Sequence, residues 1–137
     1  WCGLEGVPGA LVMLEPALLA IGARVARIDA SAKTVYHAAA VFASNYLVTV
    51  IDAALRAYQA AGIPEAAARE LARPLAAETL ANVFRLGPEA ALTGPIARGD
   101  MATVERQNAA VSAWDPASGD LYAALAEATV LLAARRP

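Results

Sequence analysis

The chain has 137 residues, 58% hydrophobic and 18% charged, with a formal net charge of −2. That length suits one globular domain with a real core rather than two, and the composition is far too apolar for a disordered chain. A pI near 5.3 and the lack of a basic stripe argue against nucleic acid as a partner, and one cysteine, Cys2, cannot close an internal disulfide, which fits a reducing cytoplasm.

Trp1 rather than Met opens the chain and no signal peptide is visible, so an excised piece of a longer protein is expected. Residues 1–6 read as a short strand entering a turn. Pro8 to Gly22 reads as a helix, with Pro8 suited to the first turn and Gly22 to the stop; Pro16 should kink or split it. Residues 24–29 alternate polar and apolar as a half-buried strand does. The resulting βαβ-like unit is too small to be a sheet alone, so neighbouring strands are expected upstream of residue 1.

Beyond Asp29 the pattern is helical. Asp29 or Ser31 can cap a helix from about 32 to 61, ended by Gly62 and Pro64. At 1.5 Å per residue it would be roughly 45 Å long. Its middle is apolar nearly all round, which predicts a central, buried helix. The stretch 35–51 is near the lower limit for a membrane span, but it contains His37, Ser44 and Asn45 and is read as buried in protein. The mean hydropathy of +0.45 then calls for a partner domain or subunit to cover the surface. Further helices are predicted at 64–72, 74–86, 101–113 and 118–135, with Pro64, Pro74 and Pro88 marking starts and Gly87 and Gly94 marking stops.

Lys33 is the only lysine, beside ten arginines, and it lies four residues before His37, the only histidine. On a helix that spacing puts both on one face. A lysine kept against so strong an arginine bias suggests an amine that must shed its proton. Near a helix N-terminus and partly desolvated, it should do so more readily than a free lysine. It would then supply the proton that reduction of a carbonyl or imine requires, with His37 sharing it or orienting the substrate oxygen. At 100° per residue Ser44 falls within ~60° of that face, and Asn45 flanks it or bonds a neighbouring helix. In the turn-rich stretch 87–100, Asp100 is placed to cap a helix beginning at Met101, and Arg98 to clamp a carboxylate or phosphate. One His and one Cys far apart make no metal site. No Gly-x-Gly-x-x-Gly loop is present, so the chain alone should not bind a dinucleotide.

Two stretches, Lys33-x-x-Tyr36-His37-Ala38-Ala39-Ala40-Val41-Phe42-Ala43-Ser44-Asn45 and Ala91-Leu92-Thr93-Gly94-Pro95-Ile96-Ala97-Arg98-Gly99-Asp100-x-x-Thr103-Val104, resemble the helical domain called domain of unknown function 2520. In bacterial oxidoreductase-like proteins that domain follows a Rossmann-like NAD(P)-binding domain. More distantly the arrangement is similar to the C-terminal helical domains of 6-phosphogluconate dehydrogenase, ketopantoate reductase and pyrroline-5-carboxylate reductase. In the first two a catalytic lysine is followed four residues on by asparagine; Lys33 matches the lysine, and His37 stands where the asparagine would be.

The resemblance implies a mainly α fold, a helical bundle of the 6-phosphogluconate dehydrogenase C-terminal type built on one long helix. Residues 1–30 would be the tail of an upstream Rossmann-like nucleotide-binding domain, and residues 31–137 the all-helical substrate and dimerisation domain. It implies a cytoplasmic homodimer and NAD(P) bound mainly upstream of residue 1, so that the fragment alone is inactive. Lys33 and His37 would be catalytic, and Ser44, Asn45, Thr93, Arg98 and Asp100 would bind a small anionic ketone or imine. No metal, nucleic acid or membrane enters this reading. The competing expectation is a non-catalytic helical module for dimerisation or small-anion sensing.

Overall fold

The computed structural model describes residues 1–136 and is mainly α, with two compact units, Trp1–Val50 and Ile51–Pro137. In the first unit, strands β1 (Cys2–Leu4) and β2 (Val25–Arg27) flank helix α1 (Pro8–Ala20). The strands pair in parallel, Cys2 against Val25, Gly3 against Ala26 and Leu4 against Arg27, so the expected βαβ unit is present. Arg27 reaches across to α1 and donates to Glu15 at 2.5 Å. Pro16 lies inside α1 without ending it.

After β2, Asp29 rather than Ser31 makes the cap: its carboxylate accepts from the Ser31 backbone N–H at 2.8 Å and from the Ser31 hydroxyl at 2.6 Å. A single 3₁₀ turn (Ala30–Ala32) leads into α2 (Lys33–Val41), a five-residue π-helical segment (Phe42–Tyr46) and α3 (Leu47–Ala60). The long helix is therefore present but widened in its middle. It is not buried as its apolar pattern predicts: Val35, Phe42 and Val48 are 72%, 70% and 69% exposed. An all-round apolar helix is buried only where something surrounds it, and the described residues do not surround this one. By length and composition alone, the run Ala30–Ala60 is apolar enough to cross a membrane.

In the second unit the helices expected at 64–72 and 74–86 are one element, α4 (Glu65–Leu86), with Pro74 inside it. Two short helices not expected from the sequence follow, α5 (Pro88–Ala91) and α6 (Gly94–Ala97), then α7 (Met101–Trp114) and α8 (Pro116–Ala133). Helices α7 and α8 pack closely, and α6 lies against both. The residues buried here are small: Ala68, Ala72, Val104 and Ser118, with Gly119 beside them. Helix α8's C-terminal end is tied down by Arg136, which donates to the carbonyls of Glu89, at 2.7 Å, and of Leu92.

A polar cluster joins α3 to the α7–α8 turn. The Arg56 guanidinium donates to Asp52 and Asp115, both at 3.1 Å, and to the Ser118 hydroxyl at 2.9 Å, and it stacks 5.5 Å from the Trp114 ring centroid. Ser118 in turn donates to Asp115 at 2.6 Å. These hydrogen bonds, from Ser118 first and then Arg56, hold the Asp115 carboxyl below the usual carboxylate range. A depressed folded-state value contributes stability that is complete above the unfolded value, about pH 4, and is lost as pH falls through the folded one. Asp115→Asn should therefore lower the melting temperature at neutral pH. The gap to the parent protein should close as pH is taken well below about 4; a gap that is constant with pH, read by circular dichroism, would contradict this.

Candidate functional site

Lys33 starts α2, immediately after the Asp29-capped turn, and its amine is met by Glu5, which follows directly on β1. Lys33 Nζ donates to Glu5 Oε2 at 2.9 Å, with the two side chains 55% and 27% exposed. The amine is thus paired and well solvated, not the partly dry amine that its position on the helix suggests. One turn later His37 shares its face, as the spacing predicts, and its ring meets Tyr36 edge-on with centroids 5.5 Å apart.

These groups line one open pocket of about 180 Å³, together with Gly3 and Ile28. It lies at the carboxyl ends of β1 and β2. That location has a general physical basis: in open parallel sheets the helix N-termini and loops beyond the strand ends leave a crevice where ligands bind. Sequence reading paired Lys33 with His37 but missed Glu5, Gly3 and Tyr36. Glu5 is 28 residues from Lys33, and only the pairing of β1 with β2 brings it to the start of α2. Tyr36 had a local signal, being adjacent to His37.

Gly3 is the one residue of the sheet whose lack of a side chain shapes the site. A Cβ there would lie 2.5 Å from Ile28 Cδ1 and 2.7 Å from the Tyr36 hydroxyl oxygen, far inside contact distance. The end of the tyrosine ring occupies that space.

Ser44 and Asn45 do not line the Lys33 pocket. Both lie in the π segment, whose wider turn breaks the 100° phasing that put Ser44 on the Lys33 face. The Ser44 hydroxyl is 2.6 Å from the Ala40 carbonyl, to which it donates, and 2.8 Å from Asn45 Oδ1. It is engaged within its own helix.

The remaining candidates belong to the second unit. Asp100 caps α7 as expected, its carboxylate accepting from the Thr103 N–H at 3.1 Å. Hydrogen bonding by Thr103, from its side chain and then its backbone, with smaller help from Arg106 and Arg98, lowers the Asp100 carboxyl from its ordinary value. Arg98 ends α6 and is exposed. Thr93 lines a separate, mostly apolar hollow of about 240 Å³ with Gln107, Tyr122 and Leu125, which Arg98 and Asp100 do not reach. Among the described residues no group of His, Cys, Asp and Glu side chains could hold a metal ion.

A short parallel sheet feeding a long helix, with a lysine and a histidine at their junction, is the arrangement expected of a helical domain that accompanies a nucleotide-binding sheet. The chain belongs to the family described as domain of unknown function 2520, whose model matches residues 1–129. It is similar in structure to a protein from Thermotoga maritima, with a TM-score of 0.83 and 28% identity, over 96% of this chain and 52% of that one. It is also similar to a Bacteroides fragilis protein described as a "putative NADP oxidoreductase", with a TM-score of 0.65 and 29% identity, over 78% of this chain and 39% of that one. The chain spans about half the length of the Thermotoga protein. No curated protein matches it.

Proposed function

We propose that this chain is the C-terminal substrate and dimerisation part of a cytoplasmic, two-domain NAD(P)-dependent oxidoreductase that reduces a small anionic ketone or imine. Residues 1–30 are read as the tail of the nucleotide-binding sheet and residues 31–137 as the helical domain. The observation that carries this reading is the pocket at the strand ends in which Lys33 and His37 stand together. The family and the description of the Bacteroides protein support it.

The isolated parallel pair supports it as well. Parallel strands gain stability as members of larger sheets covered on both faces, and β1 and β2 have three residues each. The residues present fit the approach of a nicotinamide ring, because strand ends and polar side chains meet there. They do not supply a pyrophosphate loop, which is assigned to the preceding domain. When bound, NAD(P)H supplies the hydride. Lys33, assisted by His37, is the source of the proton that reaches the substrate oxygen or nitrogen.

Full-length protein assayed against a panel of small oxo acids and cyclic imines, following nicotinamide absorbance, should oxidise NADH or NADPH with at least one of them. No turnover with any would remove the reading. The ion pair between Lys33 and Glu5 favours a second one, a non-catalytic module for dimerisation or small-anion sensing. That module would bind oxo acids without consuming reduced cofactor.

A further inference from the structure

Building on the oxidoreductase reading, we infer that the group touching the reacting oxygen or nitrogen is the hydroxyl of Tyr36, with Lys33 and His37 standing behind it. Two independent observations lead there. The Lys33 amine already donates to Glu5, whereas no side-chain hydrogen bond among the described residues engages the hydroxyl of Tyr36, a residue lining the same pocket. A phenol O–H is both donor and acceptor, so this one is available to a ligand. The second observation comes from the sheet. At Gly3 a Cβ would stand 2.7 Å from the Tyr36 oxygen and 2.9 Å from the ring carbon bearing it. Any other residue in the middle of β1 would displace the hydroxyl, so the strand itself leaves the space that the phenol occupies. The ring also meets His37 edge-on, at an interplanar angle of 68°.

The step balances as follows. The carbon of the C=O or C=N bond accepts a hydride, two electrons and one hydrogen, from a reduced nicotinamide. Its π pair moves to the heteroatom, which takes the proton of the Tyr36 hydroxyl. The resulting phenolate recovers a proton from the Lys33 ammonium, and the Lys33 amine recovers one from solvent. An alcohol or amine and an oxidised nicotinamide leave.

The test is Tyr36→Phe in the full-length protein, using the oxo acid or imine that the parent protein reduces. Phenylalanine keeps the ring and its contact with His37. The expected result is a fall in kcat of about 100-fold or more, the usual scale for losing a positioned proton donor. KM should change less than about threefold and the melting temperature should not move, since the hydroxyl contributes to the proton transfer and not to packing. A variant within about threefold of parent kcat overturns the assignment.

If the parent protein reduces nothing in the panel, the oxidoreductase reading fails on its own, and the contact made by Tyr36 is decided by binding. His37, the only histidine of these 137 residues, provides an imidazole Cε1–H resonance beside the pocket, identified by its loss in His37→Gln. Titration with pyruvamide, a neutral oxo compound, should move it saturably, with Kd roughly threefold to tenfold weaker in Tyr36→Phe, the loss of one hydrogen bond. No saturable shift, or equal Kd in the two proteins, overturns it.

Discussion

Replacing Lys33 with methionine is expected to cut turnover of the full-length protein by about 100-fold or more while leaving nicotinamide cofactor affinity nearly intact. Methionine keeps an unbranched stem of similar length but carries no exchangeable proton. If Lys33 feeds the pocket with protons, directly or through Tyr36, the fall must be in kcat and not in cofactor Kd, because the proposed arrangement assigns the dinucleotide to a preceding domain. Unfolding is not a rival explanation. The bond between Lys33 and Glu5 joins two side chains that are 55% and 27% exposed, and pairs this solvated contribute about 0–1 kcal/mol. Steady-state kinetics and cofactor titration on the same sample check both halves. Turnover equal to the parent's would remove Lys33 from the chemistry and leave its ion pair as a structural clip between β1 and α2.

Gly119→Ala should be the most destabilising single methyl group that can be added to the second unit. A Cβ at Gly119 would lie 2.2 Å from the Ser112 Oγ, 2.8 Å from its Cβ and 2.7 Å from its Cα. The hydroxyl can rotate away, but a backbone Cα cannot, so α7 and α8 must part. Overpacking of this kind costs about 1–3 kcal/mol. For a chain of this length that is a fall in melting temperature of roughly 3–10 °C. Gly9→Ala is the control. Nothing lies within 4 Å of a Cβ there, and alanine is the better helix former by roughly 0.5–1 kcal/mol. Thermal unfolding should therefore move in opposite directions for the two variants. Equal melting temperatures would mean that α7 and α8 are not in the close contact described.

How much of this was legible beforehand varies with the kind of signal. The βαβ unit, the Asp29 and Asp100 caps and the extent of α7 follow from local rules: a side-chain acceptor ahead of free N–H groups, a proline in the first turn, a turn glycine; α8, expected at 118–135, instead starts at Pro116 and ends at Ala133. Pro74 misled because proline removes one hydrogen bond and crowds the preceding turn, but strong helix formers on both sides can carry a helix through it. α4 is rich in them, Ala66, Ala67 and Ala68 before and Ala76 and Ala77 after. The π segment has no sequence signature at all, and with it went the alignment of Ser44 with Lys33. Glu5 could not be found from spacing, since its place in the site depends on β1 pairing with β2. Burial of the long helix failed for another reason: an apolar pattern states what a helix needs, and the neighbour that meets the need lies outside that pattern.

The small buried residues of the second unit have one more consequence. Where Gly119 of α8 meets Ser112 of α7, the main chains themselves are nearly in touch. A glycine there has no side chain left to trim, whereas enlarging it pushes one rod off another. Over evolutionary time that position should accept no residue larger than glycine.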